Sequence, residues 1–272
     1  MDILGIVNVT RDSFSDGGQF LASEAACAHA RRLASEGATI IDLGAESTHP
    51  DAESVSADEE IARLTPVVSA LRAAGLRLSV DTYKPAVMRA MLALGAEIIN
   101  DVTALRDLEA AAVLRDSAAR IILMHSTATG ARAERLDIRP AEIVPRIRAF
   151  FIERIATLAA VGVARERLIL DPGMGFFLGR DPAVSLAVLR NLDQLAELGL
   201  PLCVSTSRKS FIGALLGNGS APRPVQERGA GSLATELWAA CHGVQYIRTH
   251  DPRALTDALR VWNAIAAPSP VG

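Results

Sequence analysis

Short apolar runs recur along this chain, and nearly every one ends on a polar residue able to hold a small ligand. The run Ile3-Leu4-Gly5-Ile6-Val7 ends at Asn8, Ile40-Ile41 at Asp42, and Leu78-Ser79-Val80 at Asp81. Ile98-Ile99 leads to Asn100, Ile121-Ile122-Leu123-Met124 to His125, and Leu168-Ile169-Leu170 to Asp171. Leu202-Cys203-Val204 precedes Ser205, and Tyr246-Ile247 precedes Arg248. As parallel strands closed into a barrel, these runs set their terminal polar residues in one ring at the carboxyl end. That is the face on which such barrels carry their active sites.

A second regularity supports the barrel. Glycines 37, 75, 95, 162, 199 and 243 each follow a helical pattern and precede an apolar run. Glycine takes the left-handed conformation just past a helix end without steric cost, so the next strand follows within a few residues. Around Asp116-Ser117-Ala118-Ala119 polar and small residues serve instead. The opposite connections, residues 8–21, 44–55 and 125–139, are long and polar, and a Gly/Pro-rich stretch runs from Gly217 to Gly229. Tight turns on one face and long loops on the other suit a (β/α)₈ TIM barrel of the α/β class. The rival, a doubly wound open sheet, calls for a GxGxxG fingerprint at its first helix, where this chain has only Gly17-Gly18.

The helices show the matching period. Ser56 and Glu59 form a capping box that opens a helix through Ile61, Leu64, Val68 and Leu71, with Pro66 inside it as a predicted kink. Ile143 to Leu158 and Asp181 to Leu198 carry two more amphipathic helices.

At 272 residues the chain suits one such domain, since barrels of roughly 250 residues fold as single units. Residues 1–265 are expected to form the barrel and 266–272 a frayed tail. A net charge of −3 and an aromatic content of 4% argue against nucleic acid and acidic membrane surfaces as partners. Cys27, Cys203 and Cys241 show no CxxC spacing, which points to free thiols in a reducing compartment. With no signal-like start and no apolar run of membrane-spanning length, the expectation is a soluble, cytoplasmic protein.

The chemistry lies in seven segments: "GIVNVTRDSFSDGG", "GAESTHP", "SVDTYKP", "IINDVTAL", "LILDPGMGF", "STSRKSFIG" and "IRTHD". Each alone is common. Taken alone, Asp81 equally fits a helix cap, Asn100-Asp101 a turn, His250 a surface residue and Phe176 a loop anchor. In this order and at these strand ends, the set resembles the dihydropteroate synthase family from about Gly5 to Asp251.

The resemblance implies a reaction and a site. Family members join 6-hydroxymethyl-7,8-dihydropterin diphosphate to 4-aminobenzoate (para-aminobenzoate), releasing pyrophosphate and 7,8-dihydropteroate. The pterin would be held by Asp81, Asn100, Asp171 and Lys209. A pterin edge presents several N–H donors and a carbonyl, which carboxylates, an amide and an ammonium can meet. Arg248, His250 and Ser207 would hold the diphosphate. Arg248 and His250 are two apart in an extended segment and so face one side. Asn8 would coordinate Mg²⁺ together with the diphosphate, an ion that keeps water and phosphate ligands rather than needing a cage. Thr48, Pro50, Phe176 and Ser210, with its backbone N–H, would surround the aminobenzoate. Lys209, Arg248 and His250 are the candidate catalytic residues, acting through leaving-group neutralisation and positioning rather than acid–base chemistry. The resemblance also suggests a homodimer.

Two departures stand out. Many synthases read Ser-Thr-Arg-Pro-Gly in loop two, where this chain has Ser47-Thr48-His49-Pro50-Asp51. The usual Phe-Gly-Lys after Asp-Pro-Gly-x-Gly is also absent, and Gly175-Phe176-Phe177-Leu178-Gly179 stands there with an extra bulky residue. Both forms resemble the sulfonamide-insensitive synthases. Two other functions stay open at this point: a catalytically silent pterin-binding paralogue and a methyltetrahydrofolate-binding methyltransferase, though the latter has no diphosphate to bind.

Overall fold

Eight parallel strands alternate with helices in the computed structural model, which describes residues 1–9, 18–47, 54–128, 130–133, 137–219 and 221–267. The strands are β1 (Asp2–Asn8), β2 (Ile40–Gly44), β3 (Leu78–Asp81), β4 (Ile98–Asp101), β5 (Arg120–Met124), β6 (Leu168–Asp171), β7 (Cys203–Val204) and β8 (Tyr246–Thr249). Their order around the sheet is β6-β5-β4-β3-β2-β1-β8-β7. The ring closes between its two ends through a parallel bridge, Leu170 to Leu202, and a hydrogen bond from Leu170 N to Pro201 O at 2.8 Å. The fold is a (β/α)₈ barrel.

The outer layer holds α1 (Gly18–Ser35), α2 (Ala57–Ala73), α3 (Pro85–Ala93), α4 (Leu108–Arg115) and α5 (Pro140–Ala160). It continues with α6 (Pro182–Arg190), α7 (Leu192–Ala196), α8 (Ser210–Leu216), α9 (Gly229–Cys241) and α10 (Pro252–Ala266). The six turn glycines all have positive φ, from 68° to 109°, as the helix-to-strand reading requires. Ser56 caps α2 by accepting from Glu59 N at 3.2 Å, and Pro66 lies within that helix without ending it. The expected single helix over Asp181–Leu198 is instead two. Asn191 takes φ −123° and ψ 29° and gives its Nδ2 proton to Ala187 O at 2.7 Å, closing α6. Its Oδ1 then accepts from Gln194 Nε2 at 2.8 Å, inside α7. An asparagine that bonds nearby backbone competes with the helix ladder, and here it wins.

Strand alternation sorts the core into two parts. Most buried apolar side chains pack between sheet and helices. A separate cluster of Leu4, Ile40, Ile98, Ile122, Ile169, Cys203 and Tyr246 fills the barrel's interior. Each side chain of that size contributes about 1.5–3 kcal/mol when fully buried, and together they make a plug rather than a pore. Two residues further along the same strands come Asp42, Asn100, Asp171 and Arg248. The apolar plug is therefore the floor beneath a polar ring.

Candidate active site

Above that floor opens a cavity of about 870 Å³. Asn8, Phe176, Ser207, Ser210 and His250 line it, and a narrow recess leads inward past Lys209 and Arg248 to Asp81, Asn100 and Asp171. The structure thus brings together every predicted site residue except Thr48 and Pro50. Thr48, with His49, Pro50 and Asp51, lies outside the described residues.

The ring's charges are tightly organised. Arg248, inside β8, sends Nε to Asp42 Oδ2 at 2.5 Å and Nη2 to Asp81 Oδ2 at 2.7 Å. Burial pushes the Asp81 carboxyl up, Arg248 pulls it back, and Asp42 pushes it up again. The two carboxylates raise the Arg248 guanidinium above its usual range despite burial. Two of its prongs are therefore spoken for by protein, and the rest must serve any anion. Asp42 was visible in the sequence as a strand-end residue, yet it carried no assigned role. The missed signal was a buried arginine six strands later in the chain that needed a counter-charge.

Asp171 holds its own turn, accepting from Gly173 N at 2.8 Å through Oδ1. Burial raises its pKa to about 6, against the Gly173 N–H and Lys209. Gly173 is obligatory there: its φ is 72°, and a Cβ would stand 2.3 Å from His125 O. Asn100 Oδ1 is buried with no protein partner, a costly arrangement in a folded core unless a ligand supplies a donor. The neighbouring Asp101 is different. It turns away and accepts from Thr103 N, Thr103 Oγ1 and Leu105 N at 2.7–2.8 Å. Those bonds hold Ala104 and Leu105 in left-handed backbone at φ 56° and 55°. In the pair Asn100-Asp101, one residue lines the recess and the other shapes the turn.

Lys209 bridges recess and outer cavity. Burial, then Arg248, lower its pKa to about 8, so it stays mostly protonated near neutrality. Its Nζ lies 5.0 Å from the centroid of Phe177, a cation–π contact. Phe177 itself is buried against Val102, Met124 and Ala133, and its carbonyl accepts from Thr127 N at 2.9 Å and Thr127 Oγ1 at 3.0 Å. The ring is therefore both loop filler and cavity wall. Arg208, which sequence reasoning passed over, also lines the cavity, on a left-handed backbone (φ 59°) tied by its N–H to Ser232 Oγ at 2.9 Å. Arg228 clamps the same segment by donating to Arg208 O at 3.0 Å.

His250 Nδ1 stands 3.0 Å from Ser207 Oγ, and His250 N donates to the same oxygen at 3.1 Å. Burial, helped by Arg208, Arg248 and Lys209, lowers its pKa to about 3. These surroundings disfavour a positive charge on His250. Asn8 is exposed at the end of β1 and lines the cavity. Among the described residues no three His, Cys, Asp or Glu side chains gather as a metal cage, and no helix is long and apolar enough to cross a membrane.

Comparison with known proteins agrees with this geometry. The family described as "Pterin binding enzyme" matches residues 4–250. The chain is 48% identical over 264 residues to the dihydropteroate synthase type-2 of Escherichia coli, spanning 97% of this chain and 95% of that one. Among solved structures, it resembles Xanthomonas albilineans dihydropteroate synthase with 4-aminobenzoic acid at TM-score 0.89 and 43% identity, covering 98% of this chain and 94% of that one. It resembles the same enzyme in complex with 7,8-dihydropteroate at TM-score 0.85 and 42% identity, with the same coverage.

Proposed function

Because the chain belongs to the pterin-binding enzymes and, within them, to the dihydropteroate synthase family, we propose that it joins 6-hydroxymethyl-7,8-dihydropterin diphosphate to 4-aminobenzoate. The products are 7,8-dihydropteroate and pyrophosphate. The observation that carries this reading is the convergence of Asp171, Asn100 and Lys209 on one recess whose mouth holds Arg248 and His250.

The chemistry follows from these groups. The Asp171 carboxylate accepts from the 2-amino and N3–H edge of the pterin. Asn100 uses its unpartnered oxygen for another ring donor. Lys209 donates to a ring acceptor and leaves its charge beside the bond that breaks. The methylene C–O bond cleaves, its electron pair leaves with the diphosphate, and the cation spreads into the pterin ring. The aniline nitrogen then attacks the methylene carbon and loses a proton to solvent. Arg248 and His250 hold the leaving diphosphate, so stabilisation is electrostatic and positional. The aminobenzoate lies outward, between Phe176 and Ser210. Gly175 keeps that floor tight, since a Cβ there would stand 2.9 Å from Ser210 Oγ.

Mg²⁺ fits this site as an ion carried in by the diphosphate. Asn8 offers one neutral oxygen, and a hard cation needs phosphate and water oxygens to complete its shell. Bound there, it would neutralise charge on the departing diphosphate. A homodimer is proposed as well, supported by Val261, Trp262 and Ile265, exposed on α10, and by Trp238, exposed on α9. Reduced sulfonamide sensitivity is proposed on the Phe177 wall and the altered loop two.

Mixing the purified protein with both substrates and Mg²⁺ should release one pyrophosphate per dihydropteroate formed. Pterin binding without release would mark a silent binding protein and overturn the reading.

A further inference from the structure

Behind β8, α9 buries a carboxylate that the reaction above does not use. Glu236 is 2% exposed, in a helix made otherwise of small, apolar and hydroxyl side chains, GAGSLATELWAAC. The hydroxyls of Thr249 and Ser207 lie beside it and favour its ionised form, and its Oε1 has no protein partner. Ser207 Oγ also meets His250 at two points, the backbone N–H at 3.1 Å and ring Nδ1 at 3.0 Å. The three side chains therefore form a line from the helical layer, between the ends of β7 and β8, into the cavity.

A hydroxyl has one proton and two lone pairs, so the ends of this line are coupled. An ionised Glu236 takes the Ser207 proton. Ser207 then has only lone pairs for His250, and Nδ1 must carry the proton. Nε2 is left bare, and a bare nitrogen repels an anionic oxygen until it takes up a proton of its own. That uptake gives an imidazolium whose Nδ1–H points through Ser207 at a buried negative charge. The arrangement matches the way a carboxylate orients and supports an imidazole elsewhere in enzymes, with a hydroxyl interposed.

We propose that Glu236 is a positioning residue which, through Ser207, fixes the proton on His250 Nδ1 and supports the imidazolium form when a diphosphate oxygen occupies the Nε2 side. The inference rests on the diphosphate reading of the site. The second proton comes from solvent. Several groups face these two residues. Arg208, Arg248, Lys209 and His29 all oppose a charge on His250, while Asp251 and Arg208 act in opposite directions on Glu236. Burial sets Glu236 near a pKa of about 7, and a cationic neighbour across Ser207 would favour its ionised form. With four groups against it, His250 holds a second proton only if an anion and Glu236 both support it.

The test uses the full-length protein with ¹⁵N-labelled histidine, His250 being assigned by the loss of its signals in His250→Asn. Inorganic pyrophosphate is added at pH 7 with chelator present, so that no divalent metal contributes. In the unsubstituted protein, pyrophosphate should bring both His250 ring nitrogens to the protonated shift. Glu236→Gln keeps the shape, but its amide donates to Ser207, which reverses the line. His250 should then stay neutral with its proton on Nε2, and pyrophosphate affinity should fall about tenfold at pH 7. Affinity for a pterin without phosphates should not change. Equal losses for both ligands would mean a merely structural role and overturn the proposal. So would a neutral His250 in the unsubstituted complex, a result that needs no variant to fold. Pyrophosphate that leaves His250 unperturbed would overturn the diphosphate reading itself. Perturbation that is the same in both proteins would overturn only the role of Glu236.

Discussion

Arg248 Nη2 lies 2.7 Å from Asp81 Oδ2, which joins the last strand of the barrel to the third across the mouth of the recess. With Asp42 on Nε, a single guanidinium balances two carboxylates that are 0% and 15% exposed. Removing one partner of a buried ion pair strands the others, at a cost of about 3–5 kcal/mol.

Arg248→Ala should therefore lose about 3–5 kcal/mol of stability as well as activity, read by urea unfolding at pH 8. The sign with pH is fixed. Without the guanidinium, Asp81 loses its main opposing charge, and its folded-state pKa moves further above the ordinary 3.8. A carboxyl with a raised folded pKa costs stability when ionised, and that cost disappears as protons bind. The deficit should shrink as the pH falls from 8 toward 5. A deficit independent of pH would show that lost packing, not stranded charge, explains it.

Asp171 predicts a different pH behaviour, because in the proposed reading its carboxylate serves the ligand. Its folded pKa of about 6 means that the pterin-accepting form is lost as pH falls through that value. Affinity for the pterin should drop below pH 6, by up to about tenfold per unit. The same shift acts oppositely on the fold. Ionised Asp171 costs stability above about pH 6, and the cost fades as pH falls toward 3.8, so weaker binding cannot be blamed on unfolding through this group. Asp171→Ala should remove about 2–5 kcal/mol of pterin diphosphate affinity at pH 7.5. Calorimetry showing no loss in a folded variant would rule out this pocket assignment.

These two residues also show how much the sequence disclosed. The barrel was legible because each strand is a short apolar run and each helix-to-strand turn needs a left-handed residue, both local requirements. The ring was legible because alternation puts strand-end polar groups on one face. Partnership was not. Nothing near Arg248 in the chain announces Asp42, which lies 206 positions earlier and meets it only through closure of the barrel. Glu236 was hidden similarly, as one charge in a helix whose period gives no hint that its side chain faces inward. The break at Asn191 was missed because an apolar period passes straight through a residue whose side chain prefers to bond backbone.

Asn8 separates metal from structure. Asn8→Ala should raise the Mg²⁺ concentration needed for half-maximal turnover on the order of tenfold, since a lost metal contact commonly costs that much. Binding of a pterin lacking its diphosphate should be nearly unchanged. Equal losses for the two ligands, measured by calorimetry with and without Mg²⁺, would make Asn8 a strand-end residue only.

Phe177 carries the prediction about inhibitors. A sulfonamide copies 4-aminobenzoate but extends a substituent beyond the position of the carboxylate, so a wall beyond that point can reject the drug and admit the substrate. Phe177 forms part of such a wall, with Lys209 over its ring and the neighbouring Phe176 lining the outer cavity. A modest clash is worth roughly 1–3 kcal/mol, and each 1.4 kcal/mol is about tenfold in inhibition. Deleting Phe177 would remove the wall, but also a carbonyl that takes two hydrogen bonds from Thr127. Phe177→Ala keeps that carbonyl and is the cleaner comparison. The ratio of the sulfonamide inhibition constant to the KM for 4-aminobenzoate should fall about ten- to a hundredfold in Phe177→Ala. Deletion should lower it too, provided the loop still closes on Thr127. If the unsubstituted enzyme already binds sulfonamides as tightly as its substrate, Phe177 only fills space beneath the loop.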